Sequence, residues 1–184
     1  KTGMWFRHHD ETAHVAKHKP DVLFFSGDQV YEGDSPTHPD LANLQLDYMY
    51  KWYLFSWAFR DLTKDTPTVT MPDDHDVYQG NLWGEGGRAT DKDDKGGYVH
   101  PADFVKMAER TQTSHLPDAY DDQPLAQGIR SYYTDMVYGR ISFAILEDRK
   151  FKSGCNGRVP DSGSSRADHI TDPDFDVLQA DVPG

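Results

Sequence analysis

An α/β fold with long loops is what this sequence predicts, and three observations carry the expectation. Two short runs, Val22-Leu23-Phe24-Phe25 and Thr68-Val69-Thr70-Met71, have the length and apolar character of strands in a mostly parallel sheet. Between them lies a long stretch with apolar residues at helical spacing, which makes strand, helix, strand a βαβ unit. Further on, two alternating segments flank Val137-Tyr138-Gly139-Arg140, the pattern of a hairpin.

Composition narrows the class. Leu, Ile, Val and Phe make up only 19% of the 184 residues, and the formal net charge is −12. That pairing borders on disordered compositions. Aromatics at 12%, gathered in apolar blocks, argue instead for a folded chain. Of the 31 acidic residues 26 are Asp, a residue that disfavours helix interiors and prefers caps, turns and oxygen-donor metal sites. The acidity excludes a broad phosphate-contacting footprint, and with it specific duplex nucleic-acid binding. No apolar run has the length of a transmembrane helix. The single cysteine, Cys155, excludes an internal disulfide and a cysteine-rich zinc site.

In order along the chain, residues 10–19 form a short helix capped by Asp10 or Thr12 and stopped at Pro20. The 22–25 strand follows, apolar on both faces, and ends in Ser26-Gly27-Asp28-Gln29-Val30-Tyr31. Leu41, Leu44, Tyr48, Trp52, Phe55, Phe59 and Leu62 mark one face of a helix over 41–62, which Tyr53 and Trp57 widen. The 68–71 strand ends in Pro72-Asp73-Asp74-His75-Asp76. Residues 79–100 form a long loop with six glycines but without the spacing of a phosphate-binding P-loop. Pro101 opens a helix over 101–110. Segments 131–136 and 141–146 make the hairpin, and from residue 150 onward the chain reads as irregular surface.

The chemistry gathers at the two strand ends. Ligands in open α/β sheets bind beyond the carboxyl ends of the strands, so Gly27–Tyr31 and Asp73–Asp76 are expected to face one crevice. The Asp28 carboxylate has two oxygens with which to bridge cations, and Tyr31, three residues on, offers a phenolate that suits ferric iron. Asp73, Asp74 and Asp76 crowd around His75, which is unfavourable without balancing cations or a protonated imidazole. An Asp-rich capping turn is the structural alternative. A small calcium loop is not supported, because no D-x-[DN]-x-[DN]-G pattern is present.

These residues carry a family resemblance. Ser26-Gly27-Asp28-Gln29-Val30-Tyr31-Glu32 resembles the GDxxY(E) motif of calcineurin-like metallophosphatases of the purple acid phosphatase and alkaline phosphatase D types. Asp73-Asp74-His75-Asp76-Val77 resembles the DDH[DE]V motif of alkaline phosphatase D (PhoD-like) enzymes, and residues 141–149 resemble their later strand with its acidic-Asp-Arg ending. The resemblance implies a metallophosphatase-type αββα sandwich and a dinuclear site of ferric iron with calcium or another divalent metal. It makes Asp28 the bridging ligand, Tyr31 the phenolate on iron and Asp74 the counterpart of the Asn in GNH[DE]. His75 would donate a hydrogen bond or proton to the phosphate or leaving group, and Asp76 would orient it.

The implied activity is phosphomonoester or phosphodiester hydrolysis by metal-activated water, on a phosphate-ester small molecule or a lipid or nucleotide substrate, in an extracellular or periplasmic location. Asn81 and Arg88 in the glycine-rich loop, and Arg149 at a strand end, are candidates for contacting phosphate. Loop surface for the first two, and a structural ion pair for Arg149, are the alternatives. His8, His9, His14 and His18 read as surface residues. The family's first ligand motif and its late Gly-x-His segment have no counterpart here, so residues 1–149 are expected to be a partial catalytic domain and 150–184 an irregular segment of it, incomplete at both ends. The alternative function is a non-catalytic metal-binding or interaction module on the same scaffold.

Overall fold

The computed structural model describes residues 9–33, 42–78, 98–125, 127–147 and 149–151. It is a mixed α/β structure with two small sheets. Helix α1 (His9–Lys17) leads into β1 (Leu23–Phe25). Helices α2 (Leu44–Ala58) and α3 (Arg60–Thr63) then cross over to β2 (Thr68–Thr70). A 3₁₀ turn (His75–Val77), helix α4 (Ala102–Thr113) and the strands β3 (Tyr133–Tyr138) and β4 (Ile141–Leu146) complete it.

The βαβ expectation holds. β1 and β2 pair in parallel with Leu23 opposite Thr68 and Phe25 opposite Thr70. The ladder is closed at its ends by Leu23 N–H to Pro67 O and Met71 N–H to Phe25 O, both 2.9 Å. β1 is not buried on both faces, however. Alternation turns Phe25 onto Phe55 and Phe59, at centroid separations of 5.2 and 5.4 Å, and leaves Phe24 51% exposed.

The long helix expected over 41–62 is two helices. Phe59 leaves the helical basin at φ −98°, ψ 6°, and its ring packs on Phe25 and Phe55. Aromatic packing overrides the local 3.6-residue period there. Of the residues named for the face, Leu44, Tyr48, Phe55 and Leu62 are buried, whereas Tyr53 is 61% exposed.

The hairpin is tighter than expected. β3 runs on through Val137 and Tyr138 to pair Tyr138 with Ile141, so the turn is Gly139-Arg140 alone. Both residues take positive φ, 57° and 67°, the requirement of a two-residue turn whose twist matches its strands. α4 extends to Thr113, three residues beyond expectation. The loop residues 79–97 and the tail 152–184 lie outside the described residues. No described helix is long and apolar enough to cross a membrane.

The larger core cluster joins Leu44 and Tyr48 of α2 to Phe104, Val105 and Ala108 of α4. Val30, Val77 and Tyr78, from the segments after β1 and β2, belong to the same cluster. The two acidic motifs are therefore anchored from below by apolar side chains on the same segments. A second cluster, Val69, Met71, Tyr132 and Ile145, ties β2 to the hairpin.

Candidate metal centre

The two strand-end segments meet because glycine permits it. Gly27 has φ +119°, and a Cβ there would stand 2.3 Å from the Cβ of Asp73. No side chain fits in that gap. Asp28 follows at φ 62°, a left-handed conformation that Asp tolerates better than most residues. Gln29 is buried and donates from Nε2 to the Phe25 carbonyl at 3.1 Å and the Met71 carbonyl at 3.3 Å, stapling the ends of β1 and β2 together.

Asp76 locks this junction. Its fully buried carboxylate accepts the backbone N–H groups of Asp28 (2.6 Å), Asp73 (2.8 Å) and Val30 (3.0 Å), together with Gln112 Nε2 from α4 (2.7 Å). Burial pushes its pKa up to about 7, while these same donors pull it down. Sequence reasoning assigned Asp76 to orient His75. The structure assigns that contact to Glu32, whose carboxylate oxygens lie 2.9 and 3.0 Å from His75 Nδ1. The reason is the 3₁₀ turn, in which successive side chains diverge by about 120°. The His75 side chain stays 24% exposed, whereas Asp76 turns into the core.

Asp28, Asp74 and His75 come together as the sequence led us to expect. One ligand atom from each lies within 4.8 Å of the others, with Asp74 buried and the other two half-buried. Asp28 Oδ1 is buried and has no hydrogen-bond partner among the described residues, whereas Oδ2 accepts the Tyr31 hydroxyl. The Tyr31 ring also stacks on His75, centroids 4.2 Å apart and planes 27° from parallel. Burial raises the Tyr31 pKa above its ordinary value, and the hydrogen bond to Asp28 and the charges of Asp28, Asp74 and Asp76 add to the rise. Ionising this phenol requires a nearby cation.

The phosphate candidates fare differently. Asn81 and Arg88 lie outside the described residues. Arg149 does reach the Asp73–Asp76 segment, where its guanidinium engages Asp73, through Nε to Oδ1 and Nη2 to Oδ2 at 3.4 Å. The ion pair ties the residue that follows β4 to the Asp73 segment. His9, His14 and His18 are exposed on or beside α1. Residues not singled out from the sequence are Gln29, Gln112 and Glu32, and on α2 the buried pair Asp47 and Lys51. Glu32 was inside the quoted motif but carried no role.

Compared with protein-family models, curated proteins and solved structures, the chain matches none.

Proposed function

We propose that this chain carries the metal centre of a phosphoester hydrolase of the alkaline phosphatase D type, on what would be part of a metallophosphatase sandwich. The observation that carries the proposal is Asp28 Oδ1. A buried carboxylate oxygen without a partner is costly in a protein interior. The Asp28 carboxylate that carries it also brings a ligand atom within 4.8 Å of Asp74 and His75, and two carboxylates beside an imidazole suit a hard cation.

In this proposal Asp28 and Asp74 hold the cation, with Tyr31 placed to join them once its proton is displaced. When bound, ferric iron together with calcium or another divalent ion supplies Lewis-acid activation of the ester and of the attacking water. The protein's own part is orientation. Glu32 accepts from Nδ1–H of His75 and leaves Nε2, which in the doubly protonated ring carries the N–H that would donate to the phosphate or leaving group. The stacked Tyr31 ring limits rotation of the imidazole. Phosphomonoesters and phosphodiesters are both within this chemistry, and an exported location accompanies the proposal.

The test is metal titration of the metal-depleted chain with ferric iron and calcium, followed by assays on p-nitrophenyl phosphate and bis(p-nitrophenyl) phosphate. Stoichiometric binding and turnover, both lost in Asp28→Asn, are expected. With ferric iron the wild type should absorb visible light by tyrosinate charge transfer, and Tyr31→Phe should not. Binding without turnover would favour the non-catalytic module. Absence of any binding would overturn the metal centre itself.

A further inference from the structure

Helix α2 carries an ion pair where an amphipathic helix ordinarily carries apolar residues. Asp47 and Lys51, one turn apart, lie on its buried stripe with Leu44, Tyr48, Phe55 and Ala58. Their side chains are 2% and 0% exposed, and Lys51 Nζ lies 3.0 Å from Asp47 Oδ2. Desolvating two charges offsets most of their attraction, so such a pair contributes little to stability beyond what apolar residues of equal volume would give. What it does contribute is directional contacts.

Those contacts run to both segments of the metal centre. The Lys51 ammonium donates to the carbonyl oxygens of Tyr31 and Gly33, each at 3.0 Å, and so brackets the backbone of Glu32. It also stands 5.0 Å from the centroid of the Tyr78 ring. Asp47 accepts the hydroxyl of Tyr78. Tyr78 in turn closes the 3₁₀ turn that begins at His75, its N–H donating to the His75 carbonyl at 2.9 Å from a left-handed conformation. One end of the pair therefore holds the segment of Glu32, and the other holds the turn of His75.

We propose that Asp47 and Lys51 are positioning residues of this site, a buried joint that sets the separation of Glu32 from His75. As a statement about a metal centre it rests on the function proposed above. As a statement about the Glu32–His75 contact it stands on the geometry alone.

The experiment compares the unsubstituted chain with the double variant Asp47→Leu/Lys51→Met and with Tyr78→Phe. Three quantities are read: the melting temperature, the NMR signal of the His75 ring Nδ1 proton in the metal-free protein, and calcium and ferric iron affinity by calorimetry. The double variant takes from the Tyr78 hydroxyl and the Tyr31 and Gly33 carbonyls the contacts made by the pair, so it should melt below the wild type while remaining folded. It should also lose the His75 proton signal to exchange with water and bind metal about 10–100-fold more weakly, the usual penalty when the support of a ligand is removed. A retained signal with affinity within about twofold of wild type overturns the proposal, as does a wild type without the signal. A wild type that shows the signal but binds no metal overturns the metal centre alone. Should the double variant not fold, Tyr78→Phe decides. It removes one hydroxyl from the joint, and an unchanged His75 signal there overturns the proposal.

Discussion

Glu32 grips His75 with both carboxylate oxygens, at 3.0 and 2.9 Å from Nδ1, across 43 residues of chain. A carboxylate accepts only, so the proton between them belongs to the imidazole, and Nε2 is the nitrogen presented to a ligand. The expected consequence is a separation between two substitutions. Under the proposed phosphatase function, Glu32→Ala should lower kcat on an aryl phosphate about 10–100-fold with little change in KM. Glu32→Gln, whose amide oxygen still accepts from Nδ1, should recover most of the loss. Equal losses in the two variants would show that the charge of Glu32, not its hydrogen bond, is what matters.

Asp76 predicts a large stability effect without contact with His75. Each of its oxygens accepts two N–H groups, Oδ2 from Asp28 and Asp73, Oδ1 from Val30 and Gln112. In Asp76→Asn, either orientation of the amide sets an NH₂ group against two donors. We expect a loss of about 2–4 kcal/mol in urea unfolding, the range for a disrupted buried network. A loss below about 0.5 kcal/mol would show that the junction does not depend on this carboxylate.

Gly27 and Gly33 form a matched pair of tests in one segment. Gly27→Ala adds a methyl group 2.3 Å from the Asp73 Cβ in a backbone conformation that L residues rarely adopt. It should cost about 2–4 kcal/mol and weaken metal binding, because the two acidic segments must separate. Gly33→Ala meets nothing within 4 Å and should change unfolding by less than about 0.5 kcal/mol. Thermal melts and calcium titration of both variants check this.

The strand ends were legible because their signals are local. An apolar run that stops at Gly27-Asp28, and another that stops at Pro72-Asp73, fix where the chain turns, and parallel pairing brings the turns together. The partner of His75 was not legible, since the spacing of 73–76 does not reveal that a 3₁₀ turn sends Asp76 inward. Gln112 reaches Asp76 from a helix 36 residues away, a contact that only tertiary packing specifies. Asp47 and Lys51 are a different case. They fall at the third and seventh positions after Leu44, on the stripe that sequence periodicity did identify. Counting only apolar residues along that stripe passed over the two charges. The exposed Phe24 has a similar origin: a three-residue strand is too short for alternation to show which face is covered.

Lys150 should give the fold an alkaline dependence. Its ammonium is 1% exposed and pairs with Glu109 of α4 and with Glu147 at 3.2 Å, while Arg130 Nε holds Glu109 at 2.7 Å and the Tyr98 hydroxyl donates to the Lys150 carbonyl. Both carboxylates favour the charged amine, but burial is the larger influence and lowers the Lys150 pKa from 10.5 to about 7. Between those two values the unfolded chain binds the proton that the folded chain has released, so stability rises with pH there. The contribution is complete above the unfolded pKa and is lost as pH falls through the folded one. From pH 7 to 9 the gain expected is about 2 kcal/mol. Urea unfolding of wild type and Lys150→Met across this range isolates it, because the variant lacks the titrating group but keeps a side chain of similar volume. The wild-type curve should climb relative to the variant's, and parallel curves would mean that Glu109 and Glu147 keep Lys150 charged throughout.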